Sequence, residues 1–204
     1  MISEMFAHGF IQRAFIGGVL VSLCAALLGV SLVLKRYSMI GDGLSHVSFG
    51  ALSIAIAFGF APIKFSIPIV IIAAFFLLRL AENGKMKSDA AIAMVSASSL
   101  AIGVIVTSLT TGLSTDVCSY MFGSILAMSK DDVIFSVVLS VVVLIMFGFC
   151  YHRIFAVTFD ESFSKATGVK VGMYNTLISI FTAVTVVLGK KIIGGKFIFS
   201  LFIF

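Results

Sequence analysis

Residues 40–60 read IGDGLSHVSFGALSIAIAFGF, an apolar run with an aspartate and a histidine near its start. The run is long enough to cross a bilayer as a helix, for which roughly 17–25 residues are needed. On that helix Asp42 and His46, four positions apart, project from one face. Ser45 lies beside them, and Gly41, Gly43 and Gly50 let another backbone come close. An ionisable side chain at the centre of a span costs roughly 3 kcal/mol on insertion scales, so such groups are seldom there without a partner or a task. One carboxylate and one imidazole are half of a coordination shell for a divalent transition metal. The same two groups also serve as an interhelical hydrogen bond that fixes packing, and spacing by itself does not choose between these readings.

The rest of the chain shares that solvent. Of 204 residues, 60% are hydrophobic and 11% charged, against about 25% charged in a soluble domain. A mean hydropathy of +1.21 points to lipid around most of the length. Further apolar runs near 14–34, 65–80, 90–110, 132–152 and 171–189 read as spans beside 40–60. The run at 65–80 is short and is expected to be tilted or partly re-entrant. Asp89 is expected to cap the span that follows it. Gly112–Met128 begins polar and turns moderately apolar, as a short helix or a re-entrant piece does. With 21 Phe and no Trp, an aromatic belt must use Tyr and Phe. Cys24, Cys118 and Cys150 are scattered and odd in number, which implies no disulfide framework. Val21-Ser22-Leu23-Cys24 is a poor lipoprotein box, because Leu directly precedes Cys. The first apolar run is too long for a signal-peptide core and reads as a retained span.

Charge sets the orientation. Lys35 and Arg36, then Arg79, Lys85 and Lys87, then Arg153, Lys165 and Lys170 fall in alternate loops, which should be cytoplasmic. The opposite loops carry Arg13, Lys64 and Lys130 against Asp116, Asp131 and Asp132, so the N-terminus is expected outside. Lys190, Lys191 and Lys196 fall on the outer side, against that rule. The net charge of +5 belongs to cytoplasmic loops, and no basic run is long enough for nucleic acid. His8 and His152 read as solvated flanks. Asp116 and Cys118 read as a polar outer loop in preference to an outer metal-entry point.

The loop 154–170 is not a plain linker. Thr158-Phe159-Asp160-Glu161 reads as a capping box, in which Thr158 accepts from the backbone three residues on and Glu161 reaches back. Asp160 and Glu161 suit the positive end of a helix. Phe159, Phe163 and Ala166 fall on one face, and Gly168 ends the helix as a C′ residue. The expected product is a helix of about ten residues over 158–168, too short to span. Its Phe pair needs a partner surface or the membrane interface. The chain has no GxxxxGK[ST] loop for ATP, no Ser/His/Asp set and no zinc-hydrolase motif.

Three collinear stretches carry a resemblance. The first is Arg13-Ala14, then Leu28-Gly29-Val30, then Leu34-Lys35-Arg36-Tyr37-Ser38-Met39-Ile40-Gly41-Asp42-Gly43-Leu44-Ser45-His46, ending in Gly50. The second is Tyr120-Met121-Phe122-Gly123-Ser124-Ile125-Leu126 with Asp131-Asp132. The third is Phe159-Asp160-Glu161 with Ala166-Thr167-Gly168-Val169. In these the chain resembles the membrane permease subunit of ABC-type zinc/manganese/iron importers. The resemblance implies two permease copies in the membrane, cytoplasmic ABC ATPase subunits beneath them, and an extracellular or periplasmic metal-binding protein outside. It implies alternating access driven by ATP hydrolysis on those partner chains, so the chain itself is a transport subunit and no enzyme. Asp42 and His46 match the positions expected to contact metal in transit. Phe159, Asp160, Glu161, Phe163 and Gly168 match the coupling helix that docks on the ATPase. The cargo is a divalent ion in transit, with no cofactor held permanently, and Phe122-Gly123-Ser124-Ile125-Leu126 looks more like zinc-type than manganese-type permeases. The likeness continues through Ile192-Ile193-Gly194-Gly195. Lys196 then departs from the apolar pattern, and the end at Phe204 is expected to be a truncation.

The reading is therefore an all-α polytopic membrane protein. It has about six transmembrane helices plus an incomplete seventh, and forms one permease domain over 1–204 with a coupling helix at 158–168. It belongs in the cytoplasmic membrane in contact with lipid. The rival readings are a permease for an iron chelate or cobalamin, a secondary metal transporter that needs no ATPase, and a membrane scaffold. The first needs no Asp/His pair, and the second leaves the 158–168 helix without a partner.

Overall fold

The computed structural model describes residues 9–35, 37, 39–82, 88–110, 130–192 and 194. Among these, the ordered elements are all helices: α1 (Gly9–Leu34), α2 (Ile40–Ala57), α3 (Pro62–Glu82), α4 (Ser88–Leu109), α5 (Lys130–Phe159), α6 (Glu161–Ala166) and α7 (Val171–Ile192). All but α6 are long and apolar enough to cross a membrane. In hydrocarbon each backbone N–H and C=O needs an internal partner, and a helix supplies one for nearly every residue. The all-α expectation holds. The stretch Tyr120–Leu126, with Asp116 and Cys118, lies outside the described residues, as do Lys196 and the residues after it.

Two boundaries differ from expectation. The third span is neither short nor re-entrant. It begins at Pro62, where a residue without N–H costs nothing, and runs through Arg79 to Glu82. Pro68 inside it removes one backbone bond without ending the helix. The fifth span does not stop near 152 but continues to Phe159. Ile154 and Val157 in that extension are buried in the core, so tertiary packing carries the helix through what reads as loop.

α2 and α7 are the most buried spans, and α4 and α5 the least. α2 packs against α4 and α3, and α7 against α3, α1, α5 and α2. The α2–α4 seam is tight because it is built on glycine. A Cβ at Gly50 would stand 2.8 Å from the Ser99 carbonyl oxygen, and one at Gly43 would stand 2.6 Å from Ile92 Cγ2. A Cβ at Gly103 would meet the Phe49 ring at 2.6 Å. The close approach expected of Gly43 and Gly50 is real, and α4 is what approaches. On the outside, Phe15, Ile72, Phe76, Ile105 and Phe149 are exposed, a surface suited to hydrocarbon.

Two contacts order the helix ends. Lys35, just past α1, hydrogen-bonds to the Asn175 side-chain oxygen on α7. Arg153 on α5 donates to the Tyr174 hydroxyl at 2.9 Å. The ends of α1 and α5 and the start of α7 thus share one end of the bundle, as alternating spans require.

Candidate functional site

The Asp42–His46 pair lies in the first two turns of α2. Asp42 stands in the first turn, where a negative charge suits the helix dipole. His46 Nε2 is 3.7 Å from Asp42 Oδ2, an ion-pair distance rather than a hydrogen bond. Between Ile40 and Ser53 every residue is buried except these two. Their side chains are 44% and 28% exposed. A buried helix therefore opens at the two positions that carry metal-ligating chemistry. No third His, Cys, Asp or Glu joins them among the described residues, so one chain offers a two-ligand shell.

The structure adds a neighbour that sequence reading placed elsewhere. Lys190 was expected on the outer side as a misplaced loop charge. It is instead 2% exposed, the one charged side chain in the buried set among the described residues. Its ammonium donates to the Ser45 carbonyl oxygen and lies 5.2 Å from the Phe49 ring centroid. It also interacts electrostatically with Asp42. A long side chain on a helix leans toward the N-terminus, which carries the Lys190 head back along α7 into the bundle. The stretch from Asn175 to Lys190 is about 22 Å of helix. The Lys190 side chain thus enters from near the far end of α7 and meets α2 one residue before His46. The sequence signal was a lysine inside the buried 182–190 run, and only the packing of α7 on α2 turns it inward.

The second polar region is the corner between α5 and α7. Here the capping expectation is corrected. Thr158 is no cap: its hydroxyl donates to Ile154 O at 2.7 Å, inside α5. Asp160 is the N-cap, in extended backbone, and its carboxylate accepts from Phe163 N at 2.8 Å. Glu161 does not reach back; it pairs with Lys165 at 2.9 Å. The helix is thus six residues, Glu161–Ala166, where about ten were expected. Its C-terminus follows expectation. Gly168 has φ +81, its N–H reaches Lys165 O at 3.1 Å, and Val169 N–H reaches Ser164 O at 3.0 Å. This is a Schellman closure, which needs the left-handed residue that Gly provides. Ser164 is buried, while Phe159 and Phe163 are each 63% exposed. The Phe159 ring lies tilted against Phe155, with centroids 4.4 Å apart.

Other candidates stay apart from these regions. Asp131 is exposed and lines an outer cavity of about 330 Å³ with Lys64, Ile63 and Phe135. His152 is exposed at the end of α5, as expected of a flank. His8 and the side chain of Asp89 lie outside the described residues.

Residues 7–204 match the ABC 3 transport family. The chain is 30% identical to the high-affinity zinc uptake system membrane protein ZnuB of Buchnera aphidicola, covering 93% of this chain and 72% of that protein. It is 27% identical to the manganese import system permease protein ScaB of Streptococcus gordonii, covering 95% and 69%. The structure superposes on PsaBC from Streptococcus pneumoniae, solved in complex with Fab, with TM-score 0.84 and 26% identity over 100% of this chain and 74% of that one. The match runs through the Asp42–His46 helix and the 161–166 corner alike rather than stopping at either, so fold and sequence agree on one assignment: the chain belongs to the ABC 3 transport family and is a multi-pass protein of the cell membrane.

Proposed function

We propose that this chain is the permease subunit of an ATP-driven importer of a divalent transition metal, with zinc favoured ahead of manganese and iron. The observation that carries the reading is that α2, buried from Ile40 to Ser53, opens in that stretch at Asp42 and His46 alone. Carboxylate oxygen and imidazole nitrogen suit all three metals. Two ligands hold an ion without closing its shell, which suits a cargo that must leave again. A second permease copy would bring the ligand number to four. Relatives named for zinc and for manganese both match, and the Phe122–Leu126 likeness tips the choice to zinc.

The α6 corner is the proposed contact with the ATPase. Phe159 at the end of α5 and Phe163 on α6 present apolar rings, and the Asp160 cap and Gly168 closure hold that short element in place. Docked there, a cytoplasmic ATPase dimer would drive alternating access through α5 and α7, the helices that α6 joins. A metal-binding protein on the outer face would deliver the ion. An iron-chelate or cobalamin permease would have no use for the Asp/His pair, and a secondary transporter none for the α6 corner.

The test is metal uptake by cells carrying the permease with its ATPase, comparing wild type with His46→Ala and Asp42→Ala at matched membrane levels. Each substitution should lower zinc or manganese accumulation by at least about 100-fold, more than loss of an outer-shell partner costs a metal site. Unchanged uptake with normal insertion would show the pair to be structural.

A further inference from the structure

We propose that Lys190 is a resident counter-cation of the transport site. Its ammonium neutralises Asp42 while the site is empty and repels the metal once it arrives, so the ion stays loosely held. The inference rests on the reading of Asp42 and His46 as metal ligands.

The argument begins with cost. A lysine head inside a membrane protein needs acceptors and a counter-charge. Two partners of Lys190, the Ser45 carbonyl and the Phe49 ring face, come from a single stretch of α2, and Asp42 stands one turn before Ser45 on the same helix, close enough for its charge to act on the ammonium. That stretch also carries His46. The Ser45 carbonyl is the i−4 acceptor for the Phe49 N–H, so the ammonium sits on the α2 backbone between the two ligands and the ring. Phe49 is itself wedged against Gly103 of α4, which leaves its ring no freedom to swing away. Lys190 is thus anchored by groups that do not leave when a metal binds.

Two consequences follow. In the empty site the Asp42 carboxylate has a positive neighbour that balances its charge. In the loaded site a divalent ion faces a fixed positive charge at short range in a medium of low dielectric, and its affinity is lowered.

The test uses the purified permease–ATPase complex, with equilibrium binding of zinc and of manganese and uptake by cells read in parallel. Lys190→Met keeps the length of the side chain and removes the charge. It should tighten metal binding by about tenfold or more, while uptake falls because release slows. Lys190→Arg keeps the charge and should leave affinity near that of wild type. Unchanged or weaker binding by Lys190→Met, with wild-type binding abolished by His46→Ala, overturns the Lys190 proposal alone and leaves a structural anchor. A wild-type complex whose metal binding is indifferent to both Asp42→Ala and His46→Ala overturns the site reading and this proposal with it.

Discussion

The two polar regions of this molecule are built in opposite ways. Around Asp42 and His46 the backbone is an ordinary helix and the side chains are the exception: a part-exposed acid and imidazole, with Lys190 beside them as the one charged side chain in the buried set among the described residues. At 160–168 the backbone is the exception, with an extended cap at Asp160 and a left-handed residue at Gly168, and it holds Phe163 out beside the equally exposed Phe159. The first arrangement places charge where it is expensive, as suits a site whose occupant is an ion. The second stops one helix and starts another within a few residues, which suits a rigid handle for a partner. The difference teaches that chemistry and coupling impose different demands. One needs the right atoms on a regular frame, the other the right turn of chain beneath exposed apolar rings.

That contrast can be broken by experiment. Replacing both Phe159 and Phe163 by Ala should leave metal binding intact and weaken association with the ATPase by at least about 30-fold. Two exposed aromatics at an interface centre are each worth on the order of 2 kcal/mol. Co-purification of permease and ATPase at graded salt measures it; retained association would show that the corner is only an interfacial anchor. Next in size is Gly50→Ala. A Cβ there runs into the Ser99 carbonyl, so α2 and α4 must separate. Destabilisation of about 1–3 kcal/mol is expected, read as a lower unfolding temperature in detergent. A permease of normal stability would show the seam to be more yielding than drawn. The smallest effect is at Asp160. Asp160→Ala removes the cap and should cost about 1 kcal/mol locally. Amide exchange should rise over 161–166 while metal binding is unchanged. Asp160→Asn should largely restore protection, since Asn caps nearly as well. Thr158→Ala should have no comparable effect, which distinguishes the observed cap from the one the sequence pattern favours.

The legibility of the two regions differs for the same reason. Asp42 and His46 were readable because they share one helix, and i, i+4 placement is local. Gly43 and Gly50 announced a close neighbour without saying that it would be α4. At the corner, Thr158 and Asp160 are both good caps, and local pattern chose the wrong one. Ile154 and Val157 are buried against the bundle, which holds α5 helical through Thr158 and moves the cap two residues on. The third span looked short because its apolar run was read as 65–80, although proline in the first turn is compatible with a helix that starts at Pro62. Lys190 was the clearest miss. Nothing near it in sequence is acidic, and its partners come from residues 42–49.

The sequence alone determined the lipid solvent, the all-helical class, the number and approximate position of the described spans, the acid–imidazole pair and the Gly168 stop. Each follows from composition, run length or spacing within a turn or two of helix. Only the tertiary structure decided which spans are central, that α2 opens at Asp42 and His46, where α5 ends, and that Lys190 turns in beside the pair. Those depend on which helix packs on which, and burial at one residue is set by side chains far away along the chain.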